Sequence, residues 1–478
     1  MVTTDAERTV VGHLYENLMK LWPDAEGGVS AIYGMAKSSR VEENDDGTVT
    51  YVFTLRNDIT WSDGQSVTAQ DFVYAWQRLV DPETNSPNAA LLNMVAGYAA
   101  ARKGDVEKLQ VTAPDENTLQ VVLSNRCPYF LSAVCTAAAT MPVREDISLT
   151  NGAYRVTAQT NDTLTAKAVD DYYDSRRIGP RELRFDFCPT PGAAAARCQR
   201  GSWDVVLGLT ETQDEHAVRE PYPEVGVLVV NQMAQSMASE SLRQAMSMVI
   251  DRNAMAQVLG SSYAPADGLI PSGIPTTQGE DFRTATGPVV DIVADDYEKT
   301  CAIAREMMTE AGFEASALAK LGTVTLRYEN TPAQRQAAQL LQSTWQKELG
   351  LTVTLAEQTA EEMDKALEKG EITLALTTVN CDRRDAAGYL DTWRSGGSEN
   401  YANFHSSAYD MLLRVSDASQ SDEARDAYLK DAERLLLEKG NVVPLYFTTR
   451  LHQVDSTLTG LFGDGMGIYC LSALHVGT

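Results

Sequence analysis

No run of about 20 apolar residues occurs in the 478-residue chain, so no segment reads as a membrane-spanning helix. No basic stretch followed by an apolar one opens it either, so no secretion signal is read in it. Basic residues are scarce: 40 Lys and Arg face 66 Asp and Glu, a formal net charge of −26. That balance argues against a nucleic-acid partner, because phosphate binding needs a basic footprint. It favours solubility and repels anionic surfaces. Histidine is rare as well, with only His13, His216, His405, His452 and His475. The seven cysteines contain no CxxC pair, so zinc-type ligand spacing is absent and no metal or cofactor is expected. Missing too are a GK dipeptide, HExxH and GxSxG, which removes the P-loop, the zincin motif and the nucleophile elbow. A triad built from distant residues leaves no such trace, so a secreted hydrolase stays open as a reading if Ser, His and acid converge.

Among the cysteines, Cys188 and Cys198 flank the turn-like Pro189-Thr190-Pro191-Gly192, and an oxidising compartment would permit a bridge. Cys127 and Cys135 are a second candidate pair, while Cys301 reads as a buried thiol on an apolar helix face.

What is present begins with a well-punctuated stretch from Trp61 to Pro82. Ser62, Asp63 and Gly64 are turn formers. Thr68 sits three residues before Asp71, in the manner of a capping box, and Phe72, Trp76 and Leu79 give one apolar helix face. Upstream, the turn Asn44–Gly47 precedes Val49, Tyr51, Phe53 and Leu55 alternating with polar residues, which predicts a half-buried strand. Alternation around Leu119–Leu123 predicts another, and Tyr154–Val156 and Leu183–Phe187 suggest more.

The later half changes character. A strand at Thr323–Tyr328 leads to a helix over Pro332–Leu349, with Thr331 to cap it and Gly350 to close it. A strand at Leu351–Leu355, a helix near Glu361–Glu368 and a strand at Ile372–Leu376 follow. That β-α-β-α-β order predicts a parallel sheet covered by helices. A further helix over Asp422–Glu438, with Tyr428, Ala432, Leu435 and Leu436 as its core stripe, precedes a strand at Val442–Phe447. The length exceeds what one core supports, so two or three domains are expected.

Six segments in order then carry a resemblance. They are Trp61–Pro82, Asn151-Gly152-Ala153-Tyr154, Leu242–Arg252 (LRQAMSMVIDR), Ala311-Gly312-Phe313, Asn403–Leu412 (NFHSSAYDML) and Val443–Tyr446 (VPLY). Together the chain resembles the family 5 extracellular solute-binding proteins of oligopeptide and dipeptide ABC transporters. The resemblance implies an α/β, bilobed, periplasmic-binding-protein-like fold of type II, with an extra N-terminal β-rich subdomain and a ligand cleft between lobes. Residues 1–24, 149–252 and 448–478 would form lobe I, 25–148 the extra subdomain and 253–447 lobe II. The implied role is capture of short peptides by hinge closure for an ABC permease, outside the cytoplasm, by a monomer. The chain enters the family pattern late, so a secretion signal, a lipid-anchoring cysteine and a first strand are expected upstream. Alternatives on the same scaffold are a non-peptide solute, such as a glycan fragment or metal chelate, or a sensor that binds without transport.

The resemblance also implies a site. In the family, ligand backbone is held as an added strand. One side of that clamp corresponds to Thr377–Asp385, which points to Val379, Asn380, Cys381 and Asp382. Asp382 falls where the family keeps an aspartate for the peptide's α-ammonium; a pairing with Arg383 or Arg384 is the competing reading. Thr3–Glu7, with Thr4 and Asp5, would supply the opposing backbone strand, and Asn88 occupies a cleft tyrosine position. Departures stand at Thr378-Val379, in place of Gly-Trp, and at Leu376, in place of a basic residue.

Overall fold

Asp71 shows how the sequence builds its first core. In the computed structural model, which describes residues 4–24, 28–198, 203–209, 217–292, 296–381 and 383–477, its carboxylate accepts from the Thr68 N–H at 2.7 Å and from Trp61 Nε1 at 3.2 Å. Arg144 Nε donates to its other oxygen at 2.7 Å. One side chain thereby joins the turn, the helix start and a distant loop, which explains the tight spacing of the Trp61–Asp71 motif.

The chain divides into two compact units. The first is Met1–Val206, Asp382–Arg384 and Val454–Thr478, and the second is Leu207–Cys381 and Asp385–Gln453.

In the first unit, helix α1 (Asp5–Leu14) precedes an antiparallel pair, β1 (Met19–Pro23) and β2 (Val29–Tyr33). Next come β3 (Ala36–Glu43), β4 (Val49–Leu55), helix α2 (Ala69–Val80), β5 (Val111–Asp115) and β6 (Thr118–Leu123). The four strands form an antiparallel sheet in the order β3-β4-β6-β5. The alternating residues predicted to face inward do so: Phe53, Leu119 and Leu123 are fully buried with Phe72 and Trp76 of α2. A second core joins α1 to β7 (Tyr154–Gln159), β8 (Thr163–Ala168), β9 (Glu182–Asp186) and the C-terminal Leu471 and Leu474. Gly152 is obligatory at that junction. Its N–H donates to Leu14 O at 2.8 Å, and a Cβ would lie 2.6 Å from the Leu14 carbonyl carbon.

The second unit holds a seven-stranded sheet. Its strands are β10 (Val205–Leu209), β11 (Val218–Val230), β12 (Tyr263–Pro265), β13 (Thr323–Glu329), β14 (Thr352–Gln358), β15 (Leu374–Asn380) and β16 (Val442–Val454). The order is β10-β16-β11-β15-β13-β14, with β12 on β16. Helices α3 (Pro332–Leu349) and α4 (Ala360–Glu368) connect the parallel trio β13, β14 and β15, as the β-α-β-α-β order predicts. The sheet as a whole is mixed rather than mainly parallel, because β11 and β16 run antiparallel within it.

That mixing moves the boundary. Strand β11 carries residues 218–230 into the second unit, so the division falls at Val206/Leu207 instead of the expected 252/253. The last crossing likewise falls at Gln453/Val454 instead of the expected 447/448, because β16 runs on to Val454. Helix α5 (Asp422–Glu438) buries Arg425, Leu429, Ala432, Glu433, Leu436 and Leu437, a face turned slightly from the expected stripe. The reason is that its two buried charges are paired: Arg425 with Asp385 at 2.8 Å, and Glu433 with Arg283 at 2.5 Å. Cys135 and Cys188 carry free thiols, so neither candidate bridge is formed here, while Cys301 is buried as expected.

Candidate functional site

Strand β15 is paired unequally on its two edges. Toward β11 the register runs unbroken from Leu374↔Val230 to Asn380↔Glu224. Toward β13 it covers only Leu374 and Ala375. On that side, Leu376–Asn380 have no strand partner among the described residues. A strand directs alternate N–H and C=O groups to each edge, so the outward set is a template for one more strand.

The end of this edge is fixed from below. Val379 and Cys381 are buried, Asn380 is exposed, and Cys381 Sγ donates to Asp385 O at 3.6 Å. The Asp385 carboxylate accepts from Ala387 N–H at 3.0 Å and from Arg425 Nη2 at 2.8 Å. Its partner and it are only 2% and 5% exposed, so this ion pair is sealed from water. Asp382, the candidate ammonium anchor, lies outside the described residues, as does Thr3.

The other candidates belong to the first unit and divide. Thr4 and Asp5 do not form a backbone strand. Thr4 caps α1: its Oγ1 accepts from Glu7 N–H at 3.2 Å, and Glu7 Oε2 accepts from Thr4 N–H at 3.0 Å. Thr-Asp-Ala-Glu is a capping box, which starts the helix at Asp5 and occupies the Thr4 N–H. Asp5 takes the first helical position and pairs with Arg8 at 3.4 Å.

Asn88 does line a pocket, of about 300 Å³. Arg8, Arg78, Arg383, Arg384 and Asp464 line it too. Arg384 Nη1 donates to Val29 O at 3.2 Å, and burial lowers its pKa against the opposing pull of Asp464 and Asp24. Arg383 lies over the Tyr129 ring, 5.1 Å from its centroid. Asp464 accepts from the N–H groups of Met466 and Ile468 at 2.7 and 2.9 Å. Burial nevertheless raises its pKa to about 6, with Asp5 adding to the rise. Sequence reasoning treated Arg383 and Arg384 only as partners for Asp382 and did not reach Asp464. The available signal was two adjacent arginines in an acid-rich chain, directly after a strand.

His13 and His452 hold backbone groups, while the exposed His475 Nε2 meets Thr459 Oγ1 at 3.1 Å. His13 Nδ1 meets Thr9 O at 2.6 Å and its Nε2 accepts from Leu471 N–H at 2.9 Å. His452 Nδ1 accepts from Gly208 N–H at 3.1 Å. None of these bonds engages a serine hydroxyl. Among the described residues, no cluster of three His, Cys, Asp or Glu could hold a metal ion.

Comparison with known proteins places the chain among relatives. The model described as bacterial extracellular solute-binding proteins, family 5 Middle, matches residues 30–401. The dipeptide-binding protein DppE of Bacillus subtilis is 25% identical over 448 residues, covering 87% of this chain and 79% of that protein. The oligopeptide-binding protein OppA of the same organism is 27% identical over 493 residues, covering 96% and 86%. The unliganded open form of the periplasmic murein tripeptide binding protein MppA superposes with a TM-score of 0.84 at 24% identity, covering 98% and 93%. That likeness establishes the fold.

Proposed function

Because the chain belongs to the bacterial extracellular solute-binding proteins of family 5, we propose that it captures short peptides outside the cytoplasmic membrane and delivers them to an ABC importer. The observation that carries this reading is the open edge of β15. A peptide laid along Leu376–Asn380 takes up the main-chain groups that β13 stops pairing after Ala375. Main-chain pairing holds a peptide without reading its side chains. The chain runs directly from this edge into Asp382, whose carboxylate is assigned to the ligand's α-ammonium. A desolvated ammonium is costly unless paired, and a carboxylate accepts its protons in charge-assisted bonds. The role is binding, without turnover. A monomeric state and a lipid anchor at the membrane surface belong to the same proposal.

Native mass spectrometry of protein purified without denaturation tests the ligand class. Bound species should fragment as peptides. Calorimetry with a recovered peptide then tests the anchor. Asp382→Asn should cost roughly 3–5 kcal/mol, because the ammonium is left uncompensated, or about two to three and a half powers of ten in affinity. Equal affinities would remove the anchor role; a co-purified glycan or chelate would replace the peptide reading.

A further inference from the structure

Within the second unit, a strap of chain is fastened along α5 and reaches the end of the β15 edge through one guanidinium. The Leu269 and Ile270 N–H groups donate to Glu433 Oε1 at 2.7 and 3.1 Å, and the Thr277 N–H donates to Asp426 Oδ2 at 3.0 Å. Residues 426 and 433 are seven apart, two helical turns on one face, so the strap runs along the helix. It turns back at Thr277. The Thr276 N–H donates to Glu280 O at 2.6 Å, and the Phe282 N–H donates to Ile274 O at 2.8 Å, which closes the turn. Arg425 stands between this turn and the edge. Its Nη1 donates to Thr277 Oγ1 at 3.0 Å, and its Nη2 donates to Asp385 Oδ1 at 2.8 Å. Thr277 Oγ1 in turn donates to Asp426 Oδ1 at 2.9 Å, so the hydroxyl is fixed as well. A guanidinium is planar, so pinning Nη1 sets the direction in which Nη2 donates. Beyond it, Asp385 O accepts from Cys381 Sγ at 3.6 Å, directly after the last residue of β15.

We propose that Thr277 and Arg425 are positioning residues for ligand capture, holding Asp385 and Cys381, and with them the end of the open β15 edge, where a peptide main chain pairs. The inference rests on the peptide reading above and extends it to residues outside the edge itself. Every residue of the route belongs to the second unit. Main-chain pairing depends on alignment, because hydrogen bonds weaken steeply as distance and angle depart from ideal. The Thr277 hydroxyl is the place to test the route. Thr277 is half-buried, valine has nearly its shape, and the exchange removes both hydroxyl bonds. The Arg425–Asp385 pair and the Thr277 N–H bond to Asp426 are left in place.

Calorimetry compares the unaltered protein, Thr277→Val and Thr277→Ser, using a peptide recovered from the native protein, or trialanine where none is recovered. Amide exchange of the three ligand-free proteins runs alongside. Thr277→Val should bind roughly three- to tenfold more weakly, since part of one charge-assisted hydrogen bond is lost at the edge. Its exchange should quicken in Leu376–Cys381 and in the short helix Ala387–Asp391, while β14 stays unchanged. Thr277→Ser restores the hydroxyl and should recover both readouts. Exchange that quickens evenly over the whole sheet overturns the positioning role, because the hydroxyl then supports only general stability. Unchanged affinity in Thr277→Val overturns it too, whatever the exchange, and leaves peptide capture standing. An unaltered protein that binds no peptide overturns the capture reading and the positioning role with it.

Discussion

Lowering the pH should loosen the C-terminal tail through one buried histidine. His13 is 3% exposed, in the core that joins α1 to Leu471 and Leu474. Its Nε2 accepts the Leu471 N–H, so Nδ1 carries the proton and donates to Thr9 O. A second proton would have to displace the Leu471 bond within an apolar core. Burial, the larger cause, lowers its pKa from 6.5 to about 4, against the smaller opposing effect of the Thr9 bond. Above pH 6.5 the ring is neutral in both folded and unfolded chains, so its full contribution is present. Between 6.5 and 4 the unfolded chain binds the proton and the folded one does not, so stability falls with pH. The gap corresponds to roughly 3 kcal/mol in total, of which about 2 kcal/mol is lost by pH 5. The direct assay is the NMR titration of the His13 ring, which should stay unshifted from pH 8 to pH 5. Denaturant unfolding at pH 7.5 and 5.0 gives the energetic counterpart, and His13→Gln should remove about 2 kcal/mol of that pH dependence. A His13 ring that titrates near 6.5 would refute the reasoning, since the Leu471 bond would then exert no hold on the proton.

Other perturbations test other parts. Arg425→Ala strands the Asp385 carboxylate beneath the β15 edge and should cost about 3–5 kcal/mol in thermal or denaturant unfolding; a loss under about 1 kcal/mol would mean that water reaches the pair. Gly226→Ala places a Cβ 2.2 Å from the Tyr446 ring and should cost about 1–3 kcal/mol. Trimming the ring with Tyr446→Leu in the same chain should recover part of that, and purely additive losses would deny the contact. Asp464, facing Arg384 and Asp5, takes up its proton near pH 6. The carboxyl carbon resonance of Asp464 should therefore shift with a midpoint near pH 6 in an NMR titration, whereas a midpoint near 3.8 would mean that the carboxyl is solvated rather than buried.

Much of the fold was legible because its signals are local. The Val49–Leu55 alternation, the Thr331-Pro332 start of α3 and the Gly350 close each depend on residues within a few positions. The place of β11 was not legible. Its partners are residues 374–380 and 442–452, more than 140 positions away, and no local period encodes that pairing. The Thr4–Glu7 segment failed for the opposite reason. Its capping box is written in four adjacent residues, and the resemblance to a strand overrode it. The face of α5 was displaced because hydrophobic periodicity counts Arg425 and Glu433 as outward, whereas pairing turns them in.

The site was legible only where a motif touches it, and the structure explains the division. The residues that carry the resemblance mostly hold backbone. Arg252 of the LRQAMSMVIDR segment donates through Nε to Pro444 O at 2.7 Å, tying that segment to VPLY. Arg243 donates to Met237 O, Ala238 O and Lys439 O. Tyr409 of NFHSSAYDML donates to Leu390 O at 2.7 Å. Such bonds fix chain geometry and say nothing of the solute. The pocket of the first unit, by contrast, gathers charged groups from across the chain. They come from segments as distant as Arg8, Arg78, Arg384 and Asp464, which no spacing rule connects. A family resemblance in this chain is thus carried largely by bonds that hold the scaffold, which is why it fixes the fold more closely than the solute.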